Sequence, residues 1–566
     1  MTKFLAMLGL SASAVLLTAC SGGSDDTPTT TAPASSIPAV ATYLPAQGEQ
    51  AAYIDTRLKL SFDAPPVLGT SGTIKVYKAS DSSLVDTIDV SSAIVSAGAE
   101  TQTVMPYANT EIDQIGKNVA NLTQWRYVYY QPVTIAGNTA TIKLHDGVLA
   151  YNTDYYVTMD PGTLAGRSNG VPLTAITGAK GWTFHTKAAP GSKTAVTVDD
   201  DGNADFRSVQ GALNWIMANG CIATACANAA DAKTITIKNG TYNEMLFLRN
   251  VNNLTITGES RAGVVVGYDN YESYNPSTGG SKTSVQTTLT NELGATRRAL
   301  GGGRAVLLVE NADMLKLNNF TLKNPHVKKA IYNNQAETIY FNSSTLNGSR
   351  LVATSMNFIS TQDTIQTKGW AWFYQSYIAG DVDFIWGSPF AVLFEESELH
   401  TVYDPTGAAS GTYSGGYLFQ ARDTYGYPGF VVLNSSLTAD ATVPAGSTWL
   451  ARSGGQTVAG GYCTTMLTGG SLANANYYCD NIAYINNKIG PHIASAGWYT
   501  APLPNPVVPS VSAGWRESSS ADLNGKPLDV SGRTGYAGTN LDLSAINTRA
   551  KVFAGWNSGA GWVPAP

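Results

Sequence analysis

From residue 233 onward, short apolar segments recur about every twenty residues and are separated by turns rich in Asn, Gly and Ser. Examples are the runs KTITI, LTITG, VLLVE, TIYFN, LVATS, VLFEE and FVVLN. Such regular recurrence is typical of a solenoid, and short apolar segments of this kind favour strands. One coil cannot bury its apolar side alone, so coils stack with neighbouring strands about 4.8 Å apart. The pattern therefore predicts a parallel β-helix, in which residues one coil apart in sequence lie side by side.

A single helix is predicted before the first of these strands. In the run FRSVQGALNWIMANG, the residues Phe206, Val209, Leu213 and Ile216 have the spacing of one helical face. The end of a solenoid needs a cap, and we expect this helix to provide it. The β-helix domain is predicted to span residues 193–566.

The region before the β-helix has a different pattern of apolar and polar residues. Between residues 39 and 190, runs such as RLKLSF, GTIKVY, DYYVTM and GWTFHT suit half-buried strands between turns, which indicates a β-sandwich. This stretch resembles the bacterial Ig-like modules that are appended to secreted enzymes. It contains no cluster of catalytic residue types, so we expect a spacer or a weak carbohydrate-binding module.

The chain begins with a secretory signal. Residues 1–19 combine Lys3, an apolar run and small residues, and they end just before Cys20. The sequence Leu17-Thr18-Ala19-Cys20 resembles the lipobox of bacterial lipoproteins, which implies cleavage before Cys20 and its lipidation. Residues 20–38, rich in Ser, Thr and Pro, are predicted to be a tether. We expect a lipid-anchored protein of the bacterial outer membrane or cell surface, facing the periplasm or the exterior.

Composition agrees with an extracellular all-β protein. Only 13% of the 566 residues are charged, and the formal net charge of −6 gives no basic footprint for nucleic acid. No later segment is apolar for long enough to span a membrane. Four cysteines remain after Cys20, and in an oxidising compartment they pair most simply as Cys221–Cys226 and Cys463–Cys479, although three connectivities are open. Metal binding is the weaker alternative because no His lies at ligand spacing.

Two carboxylates fall at a separation of about one coil. Asp363 and Asp383 are 20 residues apart, and Gln335 and Gln362 are 27 apart. Three adjacent coils therefore present two carboxylates and two amides on one side of the solenoid. Two neighbouring carboxylates do not both ionise cheaply, and a nearby cation favours ionisation of one, which assigns acid and nucleophile roles.

The chemistry open to such a cluster is acyl transfer or glycoside hydrolysis. Arg422 and Arg452 are the candidate cations, and an amide side chain can donate to a developing oxyanion. A hydrolase with a Ser-His-Asp triad has little support, because the chain has only five His and lacks a G-x-S-x-G elbow.

Six motifs occur in one order along the β-helix region: FRSVQGAL, GTYNE, NQAETI, QDT, GDVDFIWG and WLARSGG. With these motifs the chain, from about residue 193 to 566, resembles the pectin methylesterases, a family of right-handed parallel β-helix enzymes. The resemblance implies hydrolysis of methyl esters of galacturonate units in pectin, with no metal or organic cofactor. Pectin is then the expected partner, and the protein is expected to be a monomer.

The resemblance also implies a role for individual residues. Asp383 is the nucleophile, Asp363 the acid and base, and Gln362 and Gln335 stabilise the oxyanion, while Arg452 keeps Asp383 ionised. The residues expected to bind the sugar chain are Trp386, Val382, Trp449, Tyr374 and Trp372.

One departure from the family keeps other readings open. The family has Pro-Trp after the arginine, whereas this chain has Ser453-Gly454, so one stacking platform is lost unless Trp449 replaces it. An esterase or thioesterase acting on another ester is therefore an alternative. A non-catalytic polysaccharide-binding surface protein is a second alternative, and a glycosidase or lyase of similar shape is a third.

Overall fold

The protein is described by a computed structural model. The residues that the structure describes are 42–91, 111–115, 126–221, 228–275, 303–329, 333–404, 406, 415–423, 426–453, 481–499, 514–533 and 541–566. The predicted signal peptide, the tether, Cys20, Cys226, Cys463 and Cys479 lie outside these residues. Cys221 is disulfide-bonded. Among the described residues, helices are too short or too polar to traverse a lipid bilayer.

The N-terminal part of the chain forms two sheets that face each other. The first sheet has the strand order Thr42–Leu44, Leu58–Ser61, Thr139–Ile142 and Val133–Ala136. The second has the order Glu49–Ala52, Trp182–Thr186, Asp154–Met159, Thr73–Lys78 and Leu84–Asp89. Neighbours are antiparallel, except that Glu49–Ala52 runs parallel to its partner. Short ladders pair Leu164–Ala165 with Val67–Leu68, Arg167–Ser168 with Val171–Pro172, and Glu111–Ile115 with Arg126–Tyr130.

Alternation explains why these strands pair face to face. In Leu58–Ser61 every second side chain is buried, so one side of the strand is apolar. Leu60 of the first sheet and Val157 and Phe184 of the second belong to one buried core. The predicted β-sandwich is therefore present, and its kinship with Ig-like modules stays a prediction.

From Ala195 onward the chain winds into a parallel β-helix with three faces. The first face contains Leu246–Arg249, Leu307–Glu310, Ile339–Asn342, Ile365–Thr367, Val382–Gly387, Tyr417–Ala421, Trp449–Ser453 and Trp498–Tyr499. The second contains Ala195–Val198, Lys233–Ile237, Leu254–Gly258, Leu315–Asn318, Arg350–Thr354, Trp370–Tyr374, Ala391–Glu395, Gly429–Leu433, Ile482–Ile485 and Trp515–Ser518. The third contains Gly240–Asn243, Val264–Gly267, Thr321–Lys323, Asn357–Ile359, Tyr377–Gly380, Glu398–Thr401, Ser436–Ala439, Lys488–Ile489 and Ala521–Asp522. The predicted fold class, an all-β chain with a parallel β-helix preceded by a sandwich, is confirmed.

Two long strands, Ile365–Tyr374 and Val382–Glu395, continue from the first face into the second. The first strand turns at Gly369, which has φ 68°. A Cβ there would lie 2.5 Å from the carbonyl oxygen of Ser349, so only glycine fits. As a result, the two halves of one strand present their side chains on different faces of the solenoid.

In seven described coils, from Leu315–Asn318 onward, a left-handed residue turns the chain from the second face to the third. Its φ lies between 48° and 61° at Asn319, Ser355, Gln375, Glu396, Asn434, Asn486 and Ser519. Asn tolerates this conformation better than most residues, and stacked Asn side chains add hydrogen bonds between coils. Asn486 donates to the Oδ1 atom of Asn434 at 2.7 Å. The polar turns between apolar segments in the sequence are these corners.

Both described ends of the β-helix region carry helical segments. The predicted N-terminal helix is Val209–Gly220, and its Val209, Leu213 and Ile216 side chains join the solenoid core as expected. The C-terminal segment has helical turns at Ser544–Ile546, Arg549–Val552 and Trp556–Gly559. It packs against the outer side of the second face, where its Phe553 and Trp562 meet buried Trp370.

Candidate active site

Three adjacent coils bring the predicted amides and carboxylates together. Gln335 and Gln362 form a parallel backbone bridge, so they lie side by side on neighbouring coils. The backbone N–H of Asp363 donates to the carbonyl oxygen of Val382 at 3.0 Å, which places Asp363 next to Asp383 of the following coil. The coil spacing in the sequence therefore predicted the placement of these residues correctly.

Asp363 and Asp383 share an unusual backbone conformation. Their φ angles are 62° and 48°, in the left-handed region, and both residues are buried, at 7% and 4% exposure. A non-glycine residue in this region costs on the order of 1 kcal/mol or more and persists only where the surroundings enforce it. Coil stacking on both sides supplies that enforcement here and turns both carboxyl groups towards the outer side of the first face.

Asp383 is held by an arginine and an amide. Arg452 donates from Nε to Oδ1 at 2.8 Å and from Nη2 to Oδ2, a two-point contact. Gln420 Nε2 donates to Oδ2 of Asp383 at 3.1 Å, and Gln420 Oε1 accepts from Arg422 at 2.8 Å. Because Arg422 fixes the orientation of the Gln420 amide, its NH2 group must face Asp383. Burial raises the pKa of Asp383, while these donors and the charge of Arg452 oppose the rise.

Asp363 has a less favourable set of neighbours. Its Oδ2 atom accepts from Arg304 Nη2 at 3.0 Å, but Arg304 is shared with two further carboxylates, Glu337 and Glu272. Burial raises the pKa of Asp363 well above its usual range, and the charges of Glu337 and Asp383 add to the rise against the opposing Arg304. Burial raises the pKa of both aspartates, but their partners differ: Asp363 shares Arg304 with two other carboxylates, whereas Asp383 has a two-point contact with Arg452.

A row of outward-facing side chains runs along the first face beside the carboxylates. Strand register aligns, in order, Tyr340, Gln366, Trp386, Gln420, Arg452 and Tyr499. The half-buried Trp386 ring lies 5.6 Å from the ring of Tyr340, and the guanidinium carbons of Arg304 and Arg422 each lie 5.6 Å from it. Trp386 is therefore an aromatic surface between two cations. Val382 is half-buried at the start of the same strand, opposite Tyr417.

Trp449 lies at one end of an aromatic group next to Arg452. Its ring is 5.2 Å from that of Tyr499, which is 4.9 Å from Tyr417, and the Arg452 guanidinium lies 4.8 Å from the Tyr417 ring. Trp449 therefore belongs to the aromatic group that Arg452 contacts through Tyr417, and its role in binding sugar stays a prediction. Gly454, the second residue of the departure from the family, lies outside the described residues.

The prediction that Trp372 and Tyr374 line the groove is wrong. Both follow the turn at Gly369 and lie on the second face, where Trp372 is fully buried. The Trp372 Nε1 atom donates to Glu395, and the Arg549 guanidinium lies 4.3 Å and 5.0 Å from the rings of Trp372 and Tyr374. The C-terminal segment therefore packs on these two aromatic rings.

Sequence reasoning missed Arg304, Glu337 and Gln420, whereas it named Arg422 as a candidate cation. Gln420 lies one coil beyond Trp386 in strand register, so coil counting extended by one step finds it. Arg304 precedes the strand Leu307–Glu310 by a few residues, and no motif marks it. Its role depends on the side chain reaching across neighbouring coils.

A separate cavity of about 300 Å³ lies between the sandwich and the β-helix. Its lining includes Lys143, Tyr151, Trp215 and Glu244, and none of the predicted site residues. The predicted site residues on the first face therefore lie apart from this cavity.

The fold and the site define a parallel β-helix protein with two buried carboxyl groups side by side on its first face. No family model matches the chain. The chain is similar to a pectinesterase of Ralstonia solanacearum, at 25% identity over 321 residues that cover 55% of this chain and 73% of that protein. A pectinesterase of Ralstonia nicotianae is 26% identical over 297 residues, which cover 51% and 69%.

Solved structures give a weaker likeness. The pectin methylesterase of Erwinia chrysanthemi aligns with 67% of this chain and 100% of its own, at 21% identity and a TM-score of 0.45. The pectin methylesterase of carrot aligns with 66% and 95%, at 17% identity and a TM-score of 0.42.

Proposed function

We propose that this protein is a carboxylic ester hydrolase that removes methyl esters from galacturonate units of pectin and releases methanol. The observation that carries the proposal is the pairing of Asp383, held by Arg452, with the proton-retaining Asp363 one coil away. The similarity to two pectinesterases supports the choice of substrate. The row of aromatic and cationic side chains around Trp386 suits a chain of anionic sugars.

In the proposed reaction an oxygen of Asp383 attacks the ester carbonyl carbon. The amides of Gln362 and Gln335 donate to the oxyanion of the tetrahedral intermediate, a contribution of roughly 3 kcal/mol for one such donor. The C–O bond to the methoxy group breaks, and Asp363 gives its proton to the departing oxygen, so methanol leaves. The now ionised Asp363 takes a proton from water, whose oxygen attacks the acyl carbon, and the bond to Asp383 breaks. Asp363 is then protonated and Asp383 ionised as at the start, and the product leaves as galacturonic acid, which loses its proton to solvent.

The test is methanol release from highly methylated pectin by the purified protein and by Asp383→Asn. We expect release by the wild type and a loss of at least a thousandfold in the variant, because an amide is a poor nucleophile. The matched control is Asp313→Asn, since Asp313 has a similar two-point contact with Arg350 on the second face, at 2.9 Å and 2.6 Å. That variant should keep its activity.

Other outcomes decide between the alternatives. If the folded wild type releases no methanol but hydrolyses another ester or thioester, then that compound and not pectin is the substrate. Cleavage of the sugar chain with the methyl esters intact would indicate a glycosidase or lyase. Pectin binding that is unchanged in Asp383→Asn, without any turnover, would indicate a binding protein.

We also propose that Cys20 is lipidated and anchors a monomer to the outer membrane or cell surface through the 20–38 tether. The lipobox-like sequence before Cys20 supports this proposal. The test is incorporation of labelled palmitate in growing cells, which should be lost in Cys20→Ser. Retention of the label in that variant would contradict it.

A further inference from the structure

Asp363 belongs to a buried cluster of charges centred on Arg304. Arg304 donates to both oxygens of Glu337, at 2.7 Å to Oε1 and 2.8 Å to Oε2, and to Glu272 at 2.9 Å. Its contact with Asp363, at 3.0 Å, is the longest of these four. Glu337 is fully buried, and Glu272, Arg304 and Asp363 are 5%, 6% and 7% exposed. The whole cluster is therefore shielded from water.

The cluster holds more carboxyl groups than one cation can balance. With all three ionised, a single arginine would face three negative charges, and Asp383 adds a fourth nearby. Uncompensated buried charge is strongly unfavourable, so at least one carboxyl group keeps a proton. Glu337 has the two-point contact with Arg304, whereas Asp363 has one long contact and faces Asp383. Asp363 is accordingly the carboxyl group on which the proton stays.

We propose that Glu337 and Arg304 are positioning residues for proton donation by Asp363 in ester cleavage: the charge of Glu337 keeps Asp363 protonated, and Arg304 orients its carboxyl group. The proposal rests on the proposed esterase function. Because the Oδ2 atom of Asp363 accepts from Arg304, the proton is carried by Oδ1. Arg304 thus selects which oxygen acts as the acid, and Glu337 sets the pH range in which it does so.

The other charged and titratable groups around Asp363 do not provide this effect. Those that interact electrostatically with Asp363 are Arg304, Glu337, Asp383, Arg422, Arg452 and Tyr340. The three arginines favour its ionised form, and Asp383 is committed to Arg452 and Gln420. Outside the proposed nucleophile, Glu337 is therefore the acidic group that acts most directly on Asp363, and Glu272 lies one step further away.

The experiment titrates Asp363 directly in wild type and in Glu337→Gln by ¹³C NMR of aspartate-labelled protein. The Asp363 signal is assigned by its absence in Asp363→Asn. Glutamine keeps an acceptor for Arg304 but removes the negative charge, so we expect the Asp363 titration to move down by about one pH unit or more. If methanol release is observed, its loss at alkaline pH should move down by the same interval.

Glu517→Gln is the matched control. Glu517 and Arg533 form another buried two-point pair, at 2.8 Å and 2.9 Å, in the last described coil of the second face. We expect this variant to lose stability as Glu337→Gln does, with the Asp363 titration unchanged. A shift of similar size in Glu517→Gln would show a general effect of destabilisation and would overturn the proposal.

If Glu337→Gln fails to fold, titration of Asp363 in the wild type still tests the proposal. A titration of Asp363 at or below the ordinary aspartate value of about 3.9 would overturn the proposal. Glu272→Gln, which removes a charge one step further away, should shift the titration in the same direction by a smaller amount. Because NMR needs no substrate, absence of methanol release would reject the esterase function while leaving this test intact.

Discussion

At the residue scale, the contact between Asp383 and Arg452 makes a buried nucleophile possible. Burial favours the neutral carboxylic acid, which cannot attack an ester, and raises the pKa of Asp383. The two-point contact with Arg452 and the donor from Gln420 favour the ionised form. The balance between these opposing contributions sets the lowest pH at which the proposed enzyme works.

Replacing Arg452 with lysine should move that limit upwards. Lysine keeps the charge but loses the planar two-point contact, so the pKa of Asp383 rises further. Asp383 then ionises only at higher pH, and we expect the acidic limb of the rate profile to shift up by about one pH unit. The measurement is methanol release from pectin as a function of pH.

The control for this prediction is Arg350→Lys, which alters the similar contact with Asp313 away from the site. It should leave the acidic limb unchanged. An unshifted limb in Arg452→Lys, with activity retained, would show that Arg452 does not govern the ionisation of Asp383.

At the element scale, two tryptophans on neighbouring long strands lie on different faces of the solenoid and have different proposed tasks. Trp386 precedes the point at which its strand enters the second face, and it stays half-buried beside the carboxylates. Trp372 follows the turn at Gly369 and is fully buried under the C-terminal segment. Tryptophan is therefore used in two ways: Trp386 lies beside the carboxylates on the first face, and Trp372 packs under the C-terminal segment on the second face.

Alanine substitutions should separate the two tasks. Trp372→Ala removes a fully buried ring and its hydrogen bond to Glu395, so the free energy of unfolding should fall by about 3–5 kcal/mol with KM for pectin unchanged. Trp386→Ala should raise KM several-fold with a smaller loss of stability. Denaturant unfolding and initial rates, measured on both variants below their unfolding transitions, check this. A raised KM in Trp372→Ala, with KM unchanged in Trp386→Ala, would show that Trp372 contacts the sugar chain and that its placement outside the groove is wrong.

Sequence analysis predicted the contacts that follow from coil spacing, and it missed the contacts that depend on the direction in which individual side chains extend. The 20-residue separation of Asp363 and Asp383 was sufficient to predict that they are neighbours, because residues one coil apart lie side by side in the stack. Alternation did not predict the face on which Trp372 lies, since the strand passes from the first face to the second at Gly369, where the register shifts by one residue. Arg304 was missed because its partners come from three different segments, and no local pattern records such a convergence.

At the scale of the whole molecule, the sandwich contributes a cap to the helix of the β-helix domain. Asp55 Oδ2 accepts from the backbone N–H groups of Arg207 and Ser208, at 2.9 Å and 2.7 Å, and from the Ser208 hydroxyl at 2.7 Å. Glu244 accepts from the next two N–H groups of the helix. Carboxylates at this end satisfy otherwise unpaired donors and complement the helix dipole. Asp55 therefore joins the two parts of the chain.

The same contact should make stability depend on pH. Burial raises the pKa of Asp55, and its Oδ1 atom has no hydrogen-bond partner within the described part of the chain. The folded state then binds the proton more tightly than the unfolded state, whose aspartates titrate near pH 3.9. The stabilisation is complete below that pH and is lost as the pH rises through the folded pKa of Asp55.

We therefore expect Asp55→Asn to flatten the decline of the thermal midpoint that sets in as the pH rises above about 3.9, since asparagine still accepts from the helix but does not titrate. Asp63→Asn is the matched control, because Asp63 accepts from two backbone N–H groups but is exposed and has a lowered pKa. The contribution of Asp63 is lost only as the pH falls towards its folded pKa, so its removal leaves the slope above pH 5 unchanged. Calorimetry of the three proteins measures the slopes. Parallel curves for wild type and Asp55→Asn would show that Asp55 does not link proton binding to folding.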